Sequence, residues 1–269
     1  MRTVELQPNE FGRVLPMYRA AGICFPLISA VIHNSQRGQV FADDRETPTS
    51  AVVVTDFGFM LFLGAEDNES FNAGVAGLFA AGEFKPSYLL WYSPPISWQR
   101  RLDAVGGNLV KRRERIRFEF DPERAVCLAT PNPSPAGFEL KSLSAELISK
   151  TEKFGVKIES RFWASAEDFL EHGLGVCLLK DAEVVSICYA AAMVDGLAEI
   201  DVATDPEFRG RGLASVTAQV FIRDCLRRRV LPTWDCFDYN TWSIRLALKL
   251  GFVSTRNYAF YSFNVPAKV

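Results

Sequence analysis

The sequence predicts an α/β fold of the α+β kind, a mixed and largely antiparallel central sheet flanked by helices, built twice along the chain. Three observations carry that prediction. A run of three strands joined by tight turns occupies the start of the second half. It feeds EIDVATDPEFRGRGLASVTA, residues 199–218, where a strand passes through a glycine-rich turn into a helix, followed by strand, helix and strand. The first half carries a weaker copy of the same meander.

In chain order, QVFADDRETPTSAVVVTDFGFMLFLGAED reads as strand, turn, strand, hairpin, strand, with Asp56-Phe57-Gly58 at the hairpin. It leads into NESFNAGVAGLFAAG without an Arg-Gly-Arg-Gly turn. The aromatic run YLLWYSPPISW, Tyr88 to Trp98, reads either as core or as a pocket wall. KRRERIRF, Lys111 to Phe118, places Ile116 and Phe118 on one face, continued by Phe120, so a strand with a solvated basic side is expected. TPNPSPAG, Thr130 to Gly137, denies both helix and central strand and reads as a linker. The expected division is residues 1–129, a linker at 130–138, and residues 139–269.

Downstream, Ser165 with Asp168 three positions on marks the start of a short helix ending at Gly173. GVCLLK and EVVSICYAAAMV are strands, and Asp195-Gly196 is a hairpin signal that returns the chain into AEIDVAT. This strand section can be laid over the first-half meander, with Asp56-Phe57-Gly58 matching Asp195-Gly196, which predicts a duplicated unit. Apolar residues at 213, 216, 220, 221, 222, 225 and 226 give RGLASVTAQVFIRDCLRRR helical spacing. LPTWDC is a short strand, NTWSIRLALKLGF a helix with Asn240 at its start and Gly251 after its last turn, and YAFYSFNV the closing strand.

Composition narrows the function. The chain has 269 residues, with 30 Lys and Arg against 32 Asp and Glu, so no global positive field argues for a nucleic-acid partner. Six cysteines, at 24, 127, 177, 188, 225 and 236, form no CxxC pair, and only His33 and His172 stand ready to complete a metal site. No metal is expected, and reduced, buried thiols are. The N-terminus lacks a signal pattern and no apolar run approaches the ~18 residues of a membrane span, so a cytoplasmic protein without a membrane partner is expected. Oligomeric state is not legible.

Two features carry chemistry. Arg209 to Ala214, RGRGLA, opens a helix with unpaired backbone N–H groups at the positive end of its dipole, and glycine lets a phosphate approach them. It is neither GxGxxG nor GxxxxGK[ST], so it supports neither a dinucleotide fold nor a P-loop. Before it, strand alternation puts Glu199 and Asp201 about 7 Å apart on one face. An amine arrives protonated, and a nearby carboxylate is what deprotonation asks for. Asp235 and Asp238, by the end of the PTWDC strand, read as turn formers or as acceptor contacts.

Here the sequence resembles the GCN5-related N-acetyltransferase (GNAT) superfamily. The acyl-CoA signature [Q/R]-x-x-G-x-[G/A] stands as Arg209, Gly210, Arg211, Gly212, Leu213 and Ala214. The motif N-x-x-[A/S]-x-x-L-x-x-K-x-G-F stands as Asn240, Ser243, Leu246, Lys249, Gly251 and Phe252. The resemblance covers about residues 139–269. With PTWDC, RFW near 161 and the PLISAVI…FADD region, the chain is most similar to a bacterial branch with a GNAT-like N-terminal half, a branch that includes a zwittermicin A resistance acetyltransferase. The resemblance implies that the fourth strand of the fold splays from the fifth, that Val202, Ala203 and Thr204 bind the pantetheine arm, and that the amides from Arg209 to Ala214 bind the pyrophosphate. Arg209 and Arg211 are its charge partners or ordinary surface arginines. Asn240 and Ser243 contact the cofactor arm or serve the helix start. It implies an acyl-CoA-dependent N-acyltransferase that moves acetyl from acetyl-CoA to a primary amine of a small molecule by direct attack in a ternary complex, Glu199 or Asp201 acting as base. An acyl-CoA-binding sensor without turnover and an O-acyltransferase are the alternatives. In many relatives a tyrosine after the leucine of the second motif protonates the leaving thiolate. Here that position is Ala247, which leaves Tyr239, Tyr258, Tyr261 or water.

Overall fold

Period-two apolar runs closed by tight turns make the sheets, and period-3.6 runs that start at a cap or a glycine make the helices. The computed structural model describes residues 3–22, 25–105, 109–125, 128, 134–152 and 155–265; Cys24, Cys127 and residues 130–133 of the proline-rich segment lie outside them. The chain divides into two compact units, Met1–Arg115 with Tyr258–Val269, and Ile116–Asn257.

The first unit runs β1 (Val4–Glu5), α1 (Leu15–Ala20), α2 (Pro26–Ile32), β2 (Gly38–Ala42), β3 (Ser50–Thr55), β4 (Phe59–Gly64), α3 (Glu69–Ala81), β5 (Tyr88–Tyr92), α4 (Ile96–Val105) and the start of β6 (Val110–Phe120). β1 to β4 pair antiparallel in sequence order, and β5 pairs parallel to β4. The core gathers Phe62, Phe71, Trp91, Trp98 and Leu102. Trp91, Tyr92 and Trp98 of the aromatic run are therefore core, while Tyr88 and Ile96 are exposed: the Trp91 and Trp98 rings lie 5.0 Å apart, and the Trp98 indole N–H donates to Asn72 Oδ1 at 2.9 Å.

The second unit repeats the order. After the end of β6 come β7 (Glu139–Ser142), α5 (Ala145–Ser149), α6 (Ala166–His172), β8 (Gly175–Lys180), β9 (Glu183–Val194), β10 (Leu197–Thr204), α7 (Leu213–Arg227), β11 (Leu231–Phe237), α8 (Thr241–Lys249) and β12 (Phe252–Asn264). β7 to β10 are antiparallel in sequence order, and β11 pairs parallel to β10. Within the second unit the strand order is β6-β11-β10-β9-β8-β7. The closing strand is longer than YAFYSFNV; its end, Phe260–Asn264, completes the first unit's sheet against Tyr88–Tyr92 of β5.

Local chemistry sets these elements. Asp195 and Gly196 take φ of 52° and 73°, the left-handed pair a two-residue hairpin requires. Ser165 caps α6 by accepting from the Asp168 N–H, and Asp168 Oδ2 accepts in return from the Ala164 N–H. Ala198 and Ile200 of β10 are buried in the core with Ala218, Phe221, Ile222 and Cys225 of α7, and Val202 packs against it. The opposite face of β10 carries the polar side chains.

Candidate active site

The parallel ladder between β10 and β11 runs only from Leu197↔Leu231 to Glu199↔Thr233. Both strands continue beyond it, β10 to Thr204 and β11 to Phe237. Ile200–Thr204 therefore extend past the ladder on the β11 side while remaining paired to β9 on the other. Val202, Ala203 and Thr204 are half-buried there.

Beyond β10, Asp205 accepts from the Glu207 N–H and starts a single 3-10 turn, Pro206–Phe208. The chain then reaches α7 through Gly210 and Gly212, both at φ 76°, a conformation that L side chains adopt only with strain. A Cβ added at either glycine would meet nothing within 4 Å. No neighbouring packing asks for glycine at these positions, so the open space belongs to the turn itself. Gly212 is the N-cap and makes no side-chain cap hydrogen bond. The first amides of α7, at Leu213 and Ala214, have no partner inside the helix and stand at its positive end. Arg209 and Arg211 flank them, exposed; Arg209 Nε donates to the Thr204 carbonyl at 3.1 Å and Arg211 Nη2 to the Glu207 carbonyl at 3.3 Å. This turn presents backbone donors and open space at the positive end of a helix, with two arginines next to it in sequence.

The carboxylates differ. Glu199 is buried, 7% exposed, and is ion-paired to equally buried Arg117 of β6. Arg117 Nη1 lies 3.0 Å from Glu199 Oε2 and 3.3 Å from Oε1. The Thr233 hydroxyl lies 2.9 Å from the same Oε2 and 3.1 Å from the Ala198 carbonyl, and its one proton serves one acceptor at a time. Asp201 is half-buried and accepts from the Tyr189 hydroxyl at 2.7 Å, the two residues being direct cross-strand partners. Burial, followed by the Asp201 charge, holds the Tyr189 phenol well above its ordinary range, so it stays a donor. β9 has an extra residue, Ala191, opposite the step from Glu199 to Ile200.

Sequence patterns do not reach three of these partners. Arg117 sits in the basic run expected to be solvated; Lys111 and Arg112 of that run are exposed, but Arg117 is not, because a carboxylate 82 positions away neutralises it. Tyr189 is embedded in an apolar run, and Thr233 is one residue of a strand. Nothing local marks any of the three.

On α8, Asn240 is the N-cap and accepts from the Ser243 N–H at 3.1 Å. The Ser243 hydroxyl accepts from the Trp234 indole N–H at 2.9 Å. Both residues thus serve the helix start, yet the Asn240 NH2 group and the Ser243 hydroxyl proton are donors those bonds do not use. Ala247 is fully buried in the core. Of the tyrosines considered for the acid, Tyr239 is exposed and stacked on Phe237, Tyr258 is buried in the first unit, and the Tyr261 hydroxyl donates to Asp103 there. Asp235 is half-buried and Asp238 exposed. Among the described residues no cluster of three or more His, Cys, Asp or Glu is arranged to hold a metal ion, and no helix is long and apolar enough to cross a membrane.

Comparison with known proteins identifies the family and the fold. The family model for GNAT acetyltransferases matches residues 23–261. An uncharacterized N-acetyltransferase of Bacillus subtilis, YdfB, is 28% identical over 238 residues, 88% of this chain and 90% of that protein. The solved structure of a GCN5-related N-acetyltransferase-like protein from Streptococcus suis superposes with a TM-score of 0.73 at 23% identity, covering 95% of this chain and 99% of the other. A tandem GNAT protein from the clavulanic acid biosynthesis pathway superposes with a TM-score of 0.68 at 14% identity over the full length of both chains.

Proposed function

The chain belongs to the GNAT acetyltransferase family, and from that premise we propose that it transfers an acetyl group from acetyl-CoA to a primary amine of a small molecule. It is an acetyltransferase by family and by its relatives, which implies an acceptor substrate. The observation that carries the finer reading is the uncapped, glycine-led start of α7 directly after a strand that bears two carboxylates.

The residues fit the donor. The pyrophosphate suits the amides from Arg209 to Ala214, where Gly210 and Gly212 leave open space, with Arg209 and Arg211 as charge partners. The pantetheine arm suits the backbone of Val202, Ala203 and Thr204, which extends past the ladder, and Asn240 and Ser243 keep hydrogen-bond donors not used at the helix start. We assign catalysis to residues 139–269 and take residues 1–129 as a degenerate copy; the compact unit that holds the candidate site is Ile116–Asn257, which takes in the end of β6 and leaves Tyr258–Val269 to the first unit.

The chemistry follows from charge. Glu199 or Asp201 takes a proton from the ammonium group, the freed lone pair attacks the thioester carbon, and the carbon–sulfur bond breaks with its electron pair on sulfur. A backbone N–H at Val202 or Ala203 donates to the carbonyl oxygen as it gains charge. The second nitrogen proton is lost to water or to the thiolate. No protein residue is assigned as the acid, and the loss of tyrosine at Ala247 is tolerable because a CoA thiol is a good leaving group.

The test is release of free CoA thiol from acetyl-CoA with and without a panel of amines. Release that depends on an added amine supports the reading. Release that depends on hydroxyl acceptors instead points to O-acyl transfer, and CoA binding without any release points to a sensor.

A further inference from the structure

The acyl-transfer reading offers two carboxylates for one proton. We infer that they divide the work: Glu199 is the counterion of Arg117, and Asp201, aimed by the Tyr189 hydroxyl, is the group that takes the proton from the amine. The inference rests on the acyl-transfer reading and names the residue that serves it.

Both Glu199 oxygens lie within reach of one Arg117 nitrogen, and one also meets Thr233. The two side chains are each 9% exposed. For Glu199 to accept a proton, its buried ion pair with Arg117 would have to be given up, and breaking such a pair is costly. Glu199 is therefore committed before any amine arrives.

Asp201 is placed differently. It is half-buried on the stretch of β10 past the ladder, next to Val202. Oδ2 is engaged by Tyr189, while Oδ1 takes no hydrogen bond from the described residues. The engaged oxygen fixes the carboxylate plane and the other is left to receive a proton. Tyr189 can hold that aim because its own ring is fixed: it is 1% exposed and packs against Phe169 at 6.4 Å and Phe162 at 6.3 Å between centroids. Its cross-strand partner Gly175 leaves room for this, since a Cβ there would come within 2.9 Å of Phe169 Cζ and 3.1 Å of Tyr189 Cβ. Tyr189 is a positioning residue in this scheme, acting through Asp201. The proton moves from the ammonium nitrogen to Asp201 Oδ1 before the C–N bond forms, and returns to solvent once the amide has left.

The experiment measures kcat, KM for acetyl-CoA and Tm on the full chain. Asp201→Asn is expected to lower kcat about 100- to 10,000-fold while leaving KM for acetyl-CoA unchanged within error. Tyr189→Phe should lower kcat about tenfold, again without moving KM. Arg117→Met and Glu199→Leu should each lower Tm by on the order of 10 °C, and the paired replacement Arg117→Met with Glu199→Leu should recover most of that loss. The paired variant should keep at least about a tenth of parental kcat. A folded paired variant that loses kcat as Asp201→Asn is expected to, or an Asp201→Asn enzyme at parental kcat, overturns the inference. If the paired variant does not fold, Asp201→Asn decides alone. A parent that releases no thiol with any amine or alcohol fails the acyl-transfer reading itself. Additive Tm losses for Arg117 and Glu199 would then overturn the counterion assignment without reference to activity.

Discussion

The N-termini of α3 and α7 occupy the same place in the repeated order of elements, and they treat the positive end of a helix in opposite ways. At α3 the link is short, residues 65–68, and Asn68 closes the helix: its Oδ1 accepts from the Phe71 N–H at 3.0 Å while its Nδ2 donates to Asp43 at 2.9 Å. Glu66, Asp67 and Glu69 crowd the approach with negative charge. At α7 the link is residues 205–212, the cap is a left-handed glycine with no side-chain bond, and the flanking charges are Arg209 and Arg211. One helix start is capped by a side chain of the protein; the other is not, and under the proposed function it receives the pyrophosphate. The helices after the parallel strand agree with this contrast, since Trp98 of α4 is buried against Asn72 whereas Trp242 of α8 is 76% exposed. Under the proposed reading of residues 1–129 as a degenerate copy, the anion site is lost by capping the helix start from within, with the order of strands kept.

The largest expected effect comes from closing the open start of α7. Gly212→Glu forces a side chain into a left-handed conformation and sets a carboxylate among the amides. Wild-type protein at ligand about 100-fold above Kd should gain about 2.7 kcal/mol, visible as a thermal shift with CoA, and the variant should show none. A shift that survives would erase the distinction between α3 and α7. Next, Arg209→Gln with Arg211→Gln should weaken CoA binding about tenfold or more and flatten its salt dependence, read by titration at two ionic strengths. Arginines that only decorate the surface would leave affinity unchanged.

Smaller still is Asn68→Ala. Loss of the cap should cost about 1 kcal/mol, a fall of a few degrees in Tm, with the CoA shift intact. Any loss of CoA binding would give the start of α3 a share in the donor site.

The smallest effect asks whether the open start of α7 exposes the second unit's core. Burial pushes the Cys177 thiol up to about 11 and the Cys225 thiol up to about 12. Their folded values lie above the ordinary thiol value near 9, so the native state holds these protons more tightly. That stability is fully present below about pH 9 and is lost as pH rises toward the folded values. Native protein should react with a thiol reagent at neither Cys177 nor Cys225 at pH 8, by peptide mapping, and Tm should fall between pH 9 and 11. Prompt labelling of Cys225 would show that the core breathes.

Legibility follows locality. The hairpin at Asp195-Gly196, the Ser165 and Asn240 caps and the glycine turn before α7 are each set by residues within a few positions, and all can be read from the sequence. Alternation shows the shared face of Glu199 and Asp201 but not their different surroundings. Arg117 looks like any residue of a basic strand until folding brings Glu199 beside it, and Tyr189 looks like core until its hydroxyl meets Asp201. The start of β12 is illegible because FVSTRN lacks apolar alternation: the strand there is exposed from Ser254 to Asn257.

The proposal that the donor binds at the start of α7 and not at that of α3 is tested most directly by calorimetric titration of the full chain with acetyl-CoA. One site per chain is expected on wild-type protein and none on Gly212→Glu. Two sites per chain, or an undiminished single site on Gly212→Glu, would show that the donor does not depend on this turn.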